Sequence, residues 1–239
     1  MKAIFLDQDG TLVNNISFNA EPRGIRLVSD AGPALRLLAS LDYHLFVVAN
    51  HSGIAHGCFD EEAMGPVSDR LSDLLLREQL ALEGFYYCPH HPLGTVSDYE
   101  RIPVDGGKLM AMHGEGEQGA RRPHGEPCND EQRSARLPGA PGATSIYWDT
   151  LDAFACACRK PSPGMLLRAA HEHDINLRAP WMIGDVLHDI EAGNRAGCRT
   201  LLIDNGNETE WRMGPRRLPT RIAPDLYSAA LLIAHHGEP

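Results

Sequence analysis

Two pairs of carboxylates could do chemistry: Asp7 and Asp9 in LDQDGTLV, and Asp185 and Asp189 in GDVLHD. Each pair follows abruptly on an apolar run, KAIFL at 2–6 and WMIG at 181–184. Carboxylates held close together repel unless a cation sits between them or one keeps its proton. If the two apolar runs are neighbouring strands, Asp185 approaches Asp7 and Asp9, and three acids converge. Oxygen-only ligands suit Mg2+, which favours carboxylate, water and phosphate in octahedral coordination. The pattern therefore predicts a metal ion with a phosphate on its far side. An isolated DQDG would read first as a turn with capping residues.

A second constellation is softer. Cys88-x-His90 and Cys156-x-Cys158 offer three thiolates and one imidazole, the donor set of a closed tetrahedral Zn2+ site. His91 offers an alternative imidazole one residue on. Such a site would clamp the two ends of the segment from 91 to 155. Closing a long loop costs entropy, and a metal clip offsets that cost. Cys58, Cys128 and Cys198 read as bystanders.

Positioning these groups requires strands that end where the chemistry begins. Short apolar runs at 2–6, 44–49, 85–88, 181–184 and 199–203 read as five buried strands. Helical patterns separate them, from Pro33 to Leu41, Pro66 to Glu83, Ser162 to His173 and Leu187 to Ala196, with a last helix from Asp225 to Ala234. Strands alternating with helices predict a parallel sheet covered on both faces. In such a sheet ligands bind at the carboxyl ends of the strands, where both Asp pairs lie.

The totals exclude some classes. With 239 residues the chain is long enough for one large domain. Twenty-two basic against 32 acidic residues give a formal net charge of -10, which disfavours a nucleic-acid partner. No run approaches the roughly 20 apolar residues of a membrane helix, and no signal segment opens the chain. A cytoplasmic protein is expected, with its cysteines as thiols or metal ligands. A single domain over 1–239 is expected, with a flexible insertion at about 100–150 that is rich in Gly, Pro and charge. A monomer is the default reading.

Five motifs in order, DQDGTLV, VVANHSGIAHGCF, CPHHPLG, CACRKPSPGML and GDVLHD, resemble the haloacid dehalogenase superfamily. Their wording is similar to its zinc-containing phosphatases, a branch that acts on heptose 1,7-bisphosphate or histidinol phosphate. The resemblance spans about residues 1–100 and 150–205. It implies an α/β fold, an open parallel Rossmann-like sheet with strand one central, helices on both faces, no large cap domain and a zinc-clamped loop.

Carried over residue by residue, the resemblance implies a Mg2+-dependent phosphomonoesterase with an aspartyl-phosphate intermediate. Asp7 would be the nucleophile and Asp9 the general acid and base. Lys160 would steady the phosphoryl oxygens and the nucleophile. Mg2+ would rest on Asp7, the carbonyl of Asp9 and Asp185, while Asp189 would support Lys160 or its loop. Asn50, His51, Ser52, Gly53, Arg159 and Lys160 would bind a small phosphorylated substrate. Zn2+ would be held by Cys88, His90, Cys156 and Cys158. Ala49 stands where the superfamily carries Thr or Ser, His51 and His56 where the heptose-acting members carry Gln and Arg, and Val186 where they often carry Lys. A sugar bisphosphate is the expected substrate; histidinol phosphate, or a catalytically weakened phosphate-binding protein, are the alternatives.

Overall fold

The computed structural model describes residues 1–16, 20–91 and 156–236. Six strands lie in it: β1 Lys2–Leu6, β2 Tyr43–Asn50, β3 Leu82–Cys88, β4 Trp181–Gly184, β5 Arg199–Ile203 and β6 Arg221–Ala223. All pair in parallel in the order β3-β2-β1-β4-β5-β6. Strand β1 is interior and lies beside β4, with Leu6 opposite Ile183. The segments that follow these two strands therefore start side by side.

The helices are α1 Ala31–Ser40, α2 Ser52–Ala55, α3 Met64–Arg77, α4 Gly164–Glu172, α5 Leu187–Ala196 and α6 Leu226–His236. Alternation along the strands sends side chains to opposite faces. Ile4 and Leu6 join one core with Leu35 and Leu38 of α1, Leu71 and Leu75 of α3, and Ile233 of α6. Ala3 and Phe5 join a second core with Met165, Leu166 and Ala169 of α4 and Ala192 of α5. A continuous apolar strand thus reports burial on both faces.

Two expectations change. The sheet has six strands and not five: β6 is three residues long, with two of them exposed, and carries no periodicity to read. Helix α3 stops at Arg77 and not at Glu83, because Gln79 takes a left-handed φ of 62° and reverses the chain. Leu80 and Leu82, which fit the helical pattern, serve the turn and the start of β3. The short helix α2 was not signalled either. The insertion expected at about 100–150 lies outside the described residues. Among the described residues, no helix is long and apolar enough to cross a membrane.

Candidate active site

The chain leaves β1 under tight control. Asp7 N–H donates to the carbonyl of Ile183 at 2.9 Å, which stitches it to the end of β4. The DQDG turn then closes on itself, with Leu12 and Val13 N–H both donating to the Gln8 carbonyl and Gly10 N–H donating to Val13. Gly10 has φ +85°, and a Cβ there would meet Asp185 Oδ2 at 2.0 Å. Only glycine supplies both that backbone conformation and that space.

Lys160 binds the carboxylates together. Its ammonium pairs with Asp7 Oδ1, with Asp189 Oδ1 at 2.8 Å and with the Val48 carbonyl at 2.8 Å. The contacts with Asp7 and Val48 are hydrogen bonds, and that with Asp189 is an ion pair. Asp189 sits in the first turn of α5 and lies against Gly184, where a Cβ would meet its Oδ2 at 2.3 Å. Its Oδ2 accepts from Val186 N–H at 3.3 Å. Asp189 thus supports Lys160 and its own loop.

Ligand oxygens of Asp7, Asp185 and Asp189 all lie within 4.8 Å of one another. The Asp9 carboxylate stands outside this group. Burial, followed by repulsion from Asp189, raises the Asp185 pKa to about 6. Burial raises Asp7 well above the usual carboxylate range against the pull of Lys160. Burial likewise takes Asp9 to about 6. For Lys160, burial acts downward but is outweighed by Asp189 and Asp7, so it stays protonated. One ammonium faces three buried acids, and the oxygen-only donor set fits a divalent cation.

The loop expected to bind substrate lies at the carboxyl end of β2. Ala49 is buried and brings no hydroxyl. Asn50 is engaged with Lys160: its Nδ2 donates to the Lys160 carbonyl and its Oδ1 accepts from Lys160 N–H, both at 3.0 Å. His51 is buried and faces Gln8 at 3.2 Å. Burial, then the Lys160 charge, lowers its pKa to about 4. Ser52 and Gly53 open α2, where the Ser52 carbonyl accepts from His56 N–H at 3.1 Å.

The soft donors meet. Cys88 Sγ lies 3.2 Å from Cys156 and from Cys158, Cys156 and Cys158 are 3.0 Å apart, and His90 Nδ1 is 3.1 Å from Cys156. The imidazole in this cluster is that of His90. His91 instead faces the ring of His56 at 4.5 Å. Arg159, between the cluster and Lys160, donates to the His90 carbonyl at 2.9 Å. The expectation of thiols or metal ligands is corrected at Cys58, which is disulfide-bonded.

Sequence reasoning missed the stretch after β5. Asn205 Nδ2 donates to the Gly10 carbonyl at 2.7 Å, and Asn207 Nδ2 donates to Asp185 Oδ2 at 2.6 Å. Glu208 Oε2 accepts from Leu187 N–H at 2.7 Å, which satisfies an orphan donor at the start of α5. The available signal was topological: a polar run, NGNE, leaving a strand at the same end of the sheet.

The HAD-hydrolase-like family model matches residues 157–229. The chain is 30% identical over 206 residues to a D-glycero-beta-D-manno-heptose-1,7-bisphosphate 7-phosphatase of Pasteurella multocida, covering 86% of this chain and 83% of the relative. This chain belongs to the haloacid dehalogenase-like phosphatases. A relative of the same name from Photorhabdus laumondii is 29% identical over 84% of this chain and 79% of its own. Among solved structures, a D,D-heptose 1,7-bisphosphate phosphatase from B. bronchiseptica, complexed with magnesium and phosphate, superimposes with TM-score 0.61 at 21% identity. It covers 99% of this chain and all of that one. A putative HAD-like phosphatase from Mesorhizobium loti reaches 0.64 at 24% identity, covering 100% of this chain and 88% of that one. Both show the haloacid dehalogenase-like fold. The motifs that ordered the sequence are thus those of a phosphatase family, and the carboxyl end of its sheet carries the site.

Proposed function

We propose that this phosphatase is Mg2+-dependent and removes one phosphate from a small sugar bisphosphate such as D-glycero-D-manno-heptose 1,7-bisphosphate. The observation that supports it is the convergence of Asp7, Asp185 and Lys160 at the ends of β1 and β4. The relatives' names supply the substrate class. Asp7, Asp185 and the Asp9 carbonyl would hold Mg2+, which when bound neutralises the charge of the phosphoryl oxygens. Cys88, His90, Cys156 and Cys158 would hold a structural Zn2+.

The chain's own residues account for the rest. Asp7 attacks phosphorus, and the bond from phosphorus to the sugar oxygen breaks. Asp9 passes its proton to that oxygen, and its raised pKa keeps a protonated fraction available near neutral pH. Water then attacks the aspartyl phosphate, Asp9 takes back a proton, and inorganic phosphate leaves. Lys160 keeps Asp7 in place, and Asn50 keeps Lys160 in place. A cytoplasmic monomer goes with this reading.

Ala49 favours a second reading, a phosphate-binding protein of weakened activity, because its side chain brings no hydroxyl to donate to phosphate. One assay separates the two: phosphate release in Mg2+ from heptose 1,7-bisphosphate, histidinol phosphate and a panel of sugar phosphates. Release from the heptose bisphosphate that disappears in Asp7→Asn is the expected result. Tight binding of the bisphosphate with no release from any substrate would establish the second reading.

A further inference from the structure

Gln8 lies between the two proposed catalytic carboxylates in sequence, yet it is only 1% exposed. Both ends of its amide are occupied. Its Nε2 donates to Asp9 Oδ1 at 3.3 Å, and its Oε1 faces His51 Nε2 at 3.2 Å. An amide oxygen only accepts, so His51 must donate through Nε2–H. With Asp9 ionised, its carboxylate can only accept, so the amide NH2 must face it and the amide oxygen must face His51.

His51 is itself held from several sides. Its ring lies 6.2 Å from the Phe85 ring and 6.3 Å from those of Phe59 and Tyr87. Its backbone N–H donates to the Cys88 carbonyl at 2.8 Å. At 5% exposure it offers little surface to a substrate. A side chain just past β2 thus reaches across to the β1 turn and meets Gln8, whose amide contacts the proposed general acid.

We propose that Gln8 and His51 are positioning residues for Asp9: the aromatic-packed His51 fixes the Gln8 amide, and that amide holds one Asp9 oxygen so that the other faces the leaving group. The inference rests on the acid–base role given to Asp9 above. It assigns His51 away from substrate contact and to the chemistry of proton transfer. The contribution depends on what leaves. An alkoxide from a sugar needs the proton, whereas p-nitrophenolate departs almost unaided.

The test compares a sugar phosphate substrate with p-nitrophenyl phosphate in Mg2+ for Gln8→Leu, His51→Phe, His51→Gln and Asp9→Asn. Gln8→Leu should lower kcat on the sugar phosphate about tenfold or more, with KM little changed, and should slow p-nitrophenyl phosphate far less. His51→Phe should show the same selectivity at smaller size, and His51→Gln, which keeps an N–H donor, should recover most of the loss. Equal losses on both substrates, or none on either, would overturn the proposal. If Gln8→Leu fails to fold, His51→Phe carries the same comparison. Asp9→Asn separates the two levels: if it shows no dependence on the leaving group, the acid–base reading fails and the proposal with it. If Asp9→Asn shows that dependence and Gln8→Leu does not, the proposal alone fails.

Discussion

Lys160 shows how much one residue carries. Its ammonium is buried and holds Asp7, Asp189 and a strand carbonyl at once. Removing one partner of a buried ion pair leaves the other charge without compensation, which costs on the order of 3 kcal/mol. Lys160→Met is expected to abolish phosphate release and to lower the urea midpoint; a variant with unchanged stability would sink the account of Lys160 as the clamp. His51 makes a prediction in pH. Its pKa falls from the ordinary 6.5 to about 4 in the folded chain, so the unfolded chain takes up the proton first. Its contribution is therefore fully present above pH 6.5 and is lost as pH falls through 4, about 3 kcal/mol in all. His51→Gln should lose less melting temperature than the wild type between pH 7 and 4, and superimposable profiles would refute the assignment. The acids, the lysine and the thiols were legible in the sequence because each stands in a short motif, the acids at the ends of apolar runs and the thiols at C-x-H and C-x-C spacing with the lysine two residues on. Gln8 and His51 were not legible as a pair, because an amide and a buried imidazole announce no partner.

At the scale of elements, the NGNE stretch after β5 is the part of the site that composition concealed. Asn205 reaches Gly10, Asn207 reaches Asp185, and Glu208 closes the start of α5, so one short loop touches three site-bearing segments. Its contacts span about 20 to 195 positions in sequence, and no local pattern encodes them. Groups that orient a metal-binding carboxylate commonly account for 10- to 100-fold in metal affinity. Asn207→Ala should raise the Mg2+ concentration for half-maximal activity about tenfold and weaken Mg2+ binding by calorimetry to a similar degree, with little change in melting temperature. The reading of apolar runs that revealed β1 to β5 failed at β6, which is short and exposed, and the helical pattern failed at the end of α3, where apolar residues continue past the turn at Gln79.

Across the whole molecule, the sheet is assembled from two stretches of chain. Strands β1 to β3 come from the stretch that ends at residue 91, and β4 to β6 from the stretch that begins at residue 156. They join through the β1–β4 pair and through the two cores. The proposed Zn2+ site draws Cys88 and His90 from the first stretch and Cys156 and Cys158 from the second. Stripping the purified protein with a strong chelator should release about one Zn2+ per chain, lower the melting temperature and slow phosphate release, because Arg159 and Lys160 follow directly on the cluster. Full activity and stability after quantitative removal of zinc would refute this.

The same division has a consequence for a broken chain. The proposed nucleophile Asp7 lies in one stretch, while the Lys160 ammonium that pairs with it and Asp185 lie in the other, so neither stretch alone contains the whole proposed centre. A single proteolytic cut between residues 92 and 155 would turn the protein into a two-chain enzyme. Its subunits would be the former halves, bound by the β1–β4 strand pairing, the two shared cores and the proposed Zn2+, so that withdrawing the metal would loosen the pair without by itself parting it.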